Sequence, residues 1–258
     1  MSPNPTAPAQ RTTWPEQLFL ARQVAAPPGP VDMSMMYVAH HGFRRDLEAF
    51  CAAVRVTPVD DRPTWKALLR RWDLFSIALH HHHSGEDQWL WPVLIERADP
   101  DQKELLVAME NEHAEIDPAL EECVAGLRLL AVSADKDARA ALVVRMTATK
   151  EAIFRHLAHE ETETMALLQR VLAPEEWHAM DDKFKKSFTP RQLSWAVPWI
   201  VDQLPDEVRE GMFAQPGAAP LKVVYRLFRG KFAKINAAAF KHLPVPAPSS
   251  SQVAAKAS

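Results

Sequence analysis

The sequence predicts an all-α protein, an up-down-up-down four-helix bundle with additional C-terminal helices. Three observations lead there. Four long stretches, at roughly 32–56, 64–97, 101–130 and 136–172, space apolar residues alternately three and four apart, the stripe that a helix buries along one face. The breaks between them hold turn chemistry: Thr57-Pro58 to Pro63, Asp99-Pro100-Asp101 and Ser133-Ala134-Asp135. No stretch alternates as a half-buried strand does. Short connections between long helices make neighbours antiparallel, hence a bundle.

Taken in order, residues 1–30 read as a flexible N-terminal segment with one short helix. Thr13-Trp14-Pro15-Glu16 has the form of a capping box, which predicts a helix to about Val24 before a linker from Ala25 to Pro30. The bundle spans 31–172. Its first stripe runs Met36, His40, Phe43, Leu47, Phe50, Val54, and its second Leu68, Trp72, Phe75, Leu79, His82, Glu86, Trp89, Val93. The third runs Leu106, Met109, His113, Ile116, Leu120, Cys123, Leu127, and the fourth Leu142, Met146, Thr149, Ile153, His156, Glu160, Thr164, Leu167, Val171. Pro92 and Pro118 should kink or interrupt their helices. Residues 173–242 hold shorter helices, started by Pro174, Thr189-Pro190 and Pro205, and are expected to pack on the bundle. The Pro/Ala/Ser-rich stretch 243–258 reads as a disordered tail.

Composition excludes several classes. Of 258 residues, 47% are hydrophobic, enough to bury a sizeable core, and no apolar run reaches the ~20 residues of a membrane span. Two cysteines are too few for a disulfide framework, and the start lacks the pattern of a secretory signal, so a cytoplasmic protein without a membrane partner is expected. The net charge of −3 hides a basic end: 183–258 carries +8 and 1–182 carries −11. Because that end also holds Trp195, Trp199, Ile200, Val223, Phe228 and Phe232, docking on the acidic body is expected ahead of a nucleic-acid partner.

Each stripe is interrupted by groups that do not belong in a core. His40, His82 with Glu86, His113, and His156 with Glu160 all take core-facing positions. A buried carboxylate costs several kcal/mol unless it is paired or bound to a metal. At ~1.5 Å rise per residue, the six side chains fall at one depth in the bundle, within the error of the helix ends. The pattern also repeats: a lone His is followed about 42 residues later by His-x-x-x-Glu, twice. Residues four apart share a helix face, and neutral imidazole with carboxylate is a ligand set for iron, manganese or zinc. A ferritin-like arrangement of Glu-x-x-His pairs is the competing metal reading. Its pairs would be Glu110–His113 and Glu175–His178, but the second lies beyond the bundle.

The runs His40-His41-Gly42-Phe43-Arg44-Arg45-Asp46-Leu47, His82-His83-Ser84-Gly85-Glu86-Asp87, Glu112-His113 and His156-Leu157-Ala158-His159-Glu160-Glu161 resemble the four signatures of the hemerythrin-like (HHE cation-binding) family. That resemblance implies a four-helix bundle with a non-haem di-iron centre. His40, His82, Glu86, His113, His156 and Glu160 would be its ligands, the glutamates bridging two Fe ions, with Mn or Zn less expected. It departs from the oxygen carriers in the third helix, where the residue four beyond His113 is Asp117 rather than a second histidine, and in the fourth, where Glu160 and Glu161 are both acidic. One imidazole fewer would leave an open position for water, Asp117 or a phenol such as Tyr37, one turn before His40. His41, His80, His81, His83, His159 and His178 are expected on the surface or behind the ligands. The implied activity is binding or turnover of O2, NO or H2O2, peroxide decomposition being the first reaction to try. Sensing through the basic helix of Arg226, Arg229, Lys231 and Lys234, iron storage, and a purely structural bundle are the alternatives.

Overall fold

A computed structural model describes residues 14–244, and among these the regular structure is entirely helical. Helix α1 is Ser34–Val56 and α2 Arg62–Gly85, which continues through a π-helical turn, Glu86–Leu90, into α3, Trp91–Arg97. Helix α4 is Pro100–Leu130, and α5, Lys136–His159, continues through a second π turn, Glu160–Thr164, into α6, Met165–Val171. Three helices begin on aspartate caps: Asp61 accepts from the Thr64 N–H, Asp99 forms a capping box with Gln102, and Asp135 accepts from the N–H groups of Asp137 and Ala138. Packing of α1 on α2, α2 on α4, α4 on α5 and α5 on α1 closes the ring of the bundle.

Two apolar clusters fill it. One holds Phe43 to Val54, Trp65 to Leu79, Ile116 to Ala131 and Leu142 to Leu157. The other holds Val31 to Tyr37, Leu90 to Ala98, Leu106 and Met109, and Met165 to Leu172. Between them lies the layer of histidines and glutamates, at the shared depth that helix arithmetic gave.

The π turns shift the stripes. Past Glu86 the even pattern expects Trp89 and Val93 inside, but Leu90 and Leu94 are buried while Trp89 and Val93 are half-exposed. Past Glu160, Met165, Leu168 and Leu172 join the core and Val171 turns partly outward. One extra residue in a helical turn advances everything after it by one position. Pro92 enters α3 in its first turn, where its missing N–H is tolerated, and Pro118 lies inside α4 without ending it.

The N-terminal reading needs correction. Thr13 lies outside the described residues, and residues 14–33 form no helix, only a turn at Ala21–Arg22, where Arg22 takes a φ of 71°. The backbone is bound by glutamine side chains instead. Gln23 serves the Leu20 N–H and the carbonyls of Leu18 and Ala25, and Gln17 serves the Val31 carbonyl and the Met33 N–H. Burying Leu20, Val31 and Met33 against the bundle outweighs a short, marginal helix.

The C-terminal helices are α7 (Pro174–Ser187), α8 (Pro190–Ile200), α9 (Asp206–Ala214) and α10 (Ala219–Ala239). Helix α8 packs on α1, and α10 on α2 and α8. Their anchor is buried and ionic. Asp46 Oδ2 accepts from Arg71 at 2.5 Å and from Trp199 Nε1 at 2.8 Å, while Oδ1 accepts from Arg45 Nε at 3.0 Å. Arg71 Nε donates to Asn236 of α10, and Arg45 reaches the carbonyls of Trp199 and Asp202. Burial pushes the Asp46 carboxyl up, but Arg71 and Arg45 outweigh it and hold the group below the ordinary range.

Removing one member of a buried ion pair strands the other. Asp46→Ala is expected to cost about 3–5 kcal/mol, read as a lower urea midpoint at unchanged slope. A midpoint equal to the wild type would show that Arg71 is not held by this carboxylate.

Candidate metal centre

The polar layer is built from four helices. His40 comes from α1, His82 and His83 from the last turn of α2, Glu86 from the first residue of its π turn, and His113 from α4. His156 lies in the last turn of α5, and Glu160 opens the second π turn. All seven are buried. The two glutamates thus begin the two π turns, each four residues past its histidine.

Three sets of ligand atoms converge within 4.8 Å: His40, His82 and Glu160; His83, His113 and His156; and Glu86, His113 and Glu160. His40 Nε2 lies 3.2 Å from Glu160 Oε2, His156 Nε2 3.5 Å from Glu160 Oε1, and His82 Nε2 3.3 Å from Glu86 Oε1. His113 Nε2 lies 3.7 Å from Glu86 Oε2 and 3.1 Å from His156 Nε2. The carboxylates therefore stand between an imidazole pair on one side and an imidazole trio on the other.

The outward ring nitrogens are occupied. His40 Nδ1 pairs with Glu161 at 2.9 Å, His113 Nδ1 with Asp87 at 2.9 Å, and His156 Nδ1 with Glu112 at 2.8 Å. Such partners fix the tautomer and leave Nε2 free to face inward. Glu161 is itself held by Arg44 at 2.6 and 3.0 Å and by the Val24 N–H at 2.7 Å. So the N-terminal segment reaches the carboxylate that orients His40.

The inward atoms are not satisfied by the protein. His40 Nε2, His82 Nε2, His83 Nε2 and all four carboxylate oxygens of Glu86 and Glu160 are buried without a hydrogen-bond partner. Orphaned buried carboxylates are costly, and a set of imidazole nitrogens and carboxylate oxygens facing one point fits cations. Electrostatics agree. Burial and then the facing Glu160 charge push the Glu86 carboxyl well above its ordinary value. Glu160 is held well below its own, against burial, by His156, His40 and His82. Burial also drives the His82 imidazole down to about 3, so it stays neutral, the form that binds metal.

All six residues singled out in the sequence meet here, and one that was set aside joins them. His83 is buried and stacks on His113 with ring centroids 4.0 Å apart. Successive helix residues project about 100° apart, and α2 has neighbours on two sides, α1 and α4. His82 faces His40 across the first, and His83 faces His113 across the second. The cluster therefore has five imidazoles, so the expected shortage, read from α4 alone, does not hold. Asp117 is exposed, and Glu161 sits behind His40 rather than among the inward atoms. Tyr37 is buried, and burial with the Glu161 charge keeps its phenol protonated. His81 stacks on Phe188 and meets Gln192, docking the C-terminal helices. The run His80 to His83, in which His83 directly follows His82, was the signal available for the seventh residue.

An all-helical bundle with two His-x-x-x-Glu helices around a buried ligand cluster defines a cation-binding bundle protein. A family model, the hemerythrin HHE cation-binding domain, matches residues 32–168, and the chain belongs to that family. No curated protein and no solved structure matches it. Among the described residues no helix is long and apolar enough to cross a membrane.

A cation entering this layer must displace protons, above all the one that burial and Glu160 keep on Glu86. Glu86 titrates above its ordinary value, so the proton's competition is strong at low pH and fades as pH rises. Calorimetry of cation uptake by metal-free protein should show proton release, seen as a dependence on buffer ionisation heat, with affinity increasing with pH. Uptake without proton release would overturn this account of Glu86.

Proposed function

We propose that the layer holds two iron ions, with His40 and His82 on one, His83, His113 and His156 on the other, and Glu86 and Glu160 shared, and that the loaded centre binds or reacts with O2, NO or H2O2. The observation that carries this is the convergence of buried nitrogen and oxygen atoms, seven of them without a hydrogen-bond partner, in sets that overlap at Glu160 and His113. Iron between them would supply Lewis-acid and redox chemistry toward such small ligands.

The chain's own contribution is positional. Glu161, Asp87 and Glu112 aim three imidazoles, and the His-x-x-x-Glu spacing puts Glu86 and Glu160 in the same layer, one helical turn past His82 and His156. The flanking apolar clusters exclude water, so charges within act at short range and low screening. Five imidazoles leave no shortage on the trio side. The His40–His82 side has fewer nitrogen ligands and borders an apolar cavity, so an incoming molecule is expected there.

Protein purified without added metal should carry about two irons per chain. Its visible and near-ultraviolet absorption should change on adding O2, NO or H2O2; a colourless protein unresponsive to all three would overturn the reading. His83→Ala should lose roughly one ion per chain, while His81→Ala, altered at a docking residue, should keep both. Glu112→Gln should weaken metal binding about 10–100-fold, as loss of an orienting partner does.

A further inference from the structure

The C-terminal helices close a chamber over one edge of the centre. Its volume is about 230 Å³. The floor is His82 and Glu86. Bundle residues such as Met36, Phe43 and Trp89 form one wall, and Phe184, Val197 and Trp199 of the extension form the other. Apart from the floor, its charged lining residues are Asp181 and Lys185, which pair with each other and so cancel. Both also border a polar recess that holds Asp32, Ser34, His178 and Asp182, which marks the way in.

Two glycines seat the outer wall. A Cβ on Gly42 would come within 3.0 Å of the Trp199 ring, and one on Gly85 within 2.7 Å of the Phe184 ring. Glycine inside a helix costs about 1 kcal/mol relative to alanine. Both stand in helices that carry the ligand histidines, and both let an aromatic ring of the extension come down onto the bundle. The wall follows from the sequence as much as the floor does.

The chamber is larger than the proposed small ligands need. A diatomic or a peroxide is close to water in size, whose share of volume is ~30 Å³. Neither fills this space, and a polar peroxide gains nothing from its walls. An apolar cavity of about 150 Å³ stays dry and takes a benzene ring. By that measure a 230 Å³ chamber walled by aromatic and aliphatic side chains suits a compact hydrophobic molecule of one to two fused rings.

We propose that the chamber is a binding site for a small apolar organic molecule, one to two rings in size, held by the C-terminal helices against the His82–Glu86 edge of the metal layer. The chamber stands on its own walls; only the molecule's closeness to iron rests on the di-iron reading.

The test uses the full chain, metal-free and iron-loaded, with naphthalene as probe. Trp89, Trp177 and Trp199 line the cavity, so occupancy should change tryptophan fluorescence, with calorimetry giving the stoichiometry. Saturable binding of one naphthalene per chain in both forms is expected. Filling the space with Ala196→Trp, or with Val197→Phe should the first not fold, should weaken binding tenfold or more and leave metal content unchanged. In iron-loaded protein the bound ring should also shift the iron absorption. No saturable binding to folded wild-type protein, or binding untouched by a folded filling variant, would overturn the proposal. Metal content is measured separately: naphthalene binding by a chain that takes up no iron would sink the di-iron reading and leave the chamber, and two irons without naphthalene binding would do the reverse.

Discussion

Two carboxylates facing each other in a buried layer are the constraint on which the bundle turns. Burial pushes both up and the Glu160 charge raises Glu86 further; His156, His40 and His82 hold Glu160 down, while Glu86 is left facing room for positive charge. Around that layer the chain spends its ordinary means. One apolar cluster lies on either side, caps end the helices where loops begin, and carboxylates hold the backs of the histidine rings. A layer like this is weak evidence for stability, since a greasy core of the same volume packs without any such cost.

The depth of the layer was legible because α-helices keep a constant rise. Counting from the helix ends put His40, His82, His113 and His156 level within the error of those ends, which the turn chemistry at Thr57 to Pro63, Asp99-Pro100-Asp101 and Ser133 to Asp135 marked. The π turns were not legible. Glu-Asp-Gln-Trp-Leu and Glu-Glu-Thr-Glu-Thr contain nothing that composition or propensity distinguishes from α-helix. Their effect can be read backwards from the burial of Leu90 and Leu94 in place of Trp89 and Val93. A slipped stripe just past a buried His-x-x-x-Glu is a usable sign of a π turn.

His83 was lost to a different simplification. A single stripe per helix treats the interior as one direction, which holds for a helix against a flat surface. A helix at the corner of a four-helix ring has two neighbours, and adjacent side chains can serve one each. His82 does so toward α1 and His83 toward α4. The neighbouring doublet His40-His41 shows why doublets alone do not decide it. His41 turns toward Ala21 and the Arg45 side, where burial and then the Arg45 charge lower its pKa to about 4. What separates the two cases is the third dimension, the position of the next helix.

The segments outside the bundle tie themselves to the layer from behind. The N-terminal stretch gave up an expected short helix and instead lends the Val24 N–H to Glu161, which holds His40. The C-terminal helices hang on Asp46, placed on α1 between His40 and the end of its helix, and on Trp199, whose ring fits over Gly42. Both attachments therefore act on the same helix, α1, and on the His40–His82 side of the cluster, while the His113–His156 side keeps contacts with the more exposed carboxylates Asp87 and Glu112. The two halves of the layer thus differ less in their ligand types than in what stands behind them: an aromatic, apolar wall on one side and more exposed carboxylates on the other. In a bundle whose two hairpins repeat one motif, it is the added chain at either end that makes the halves unequal.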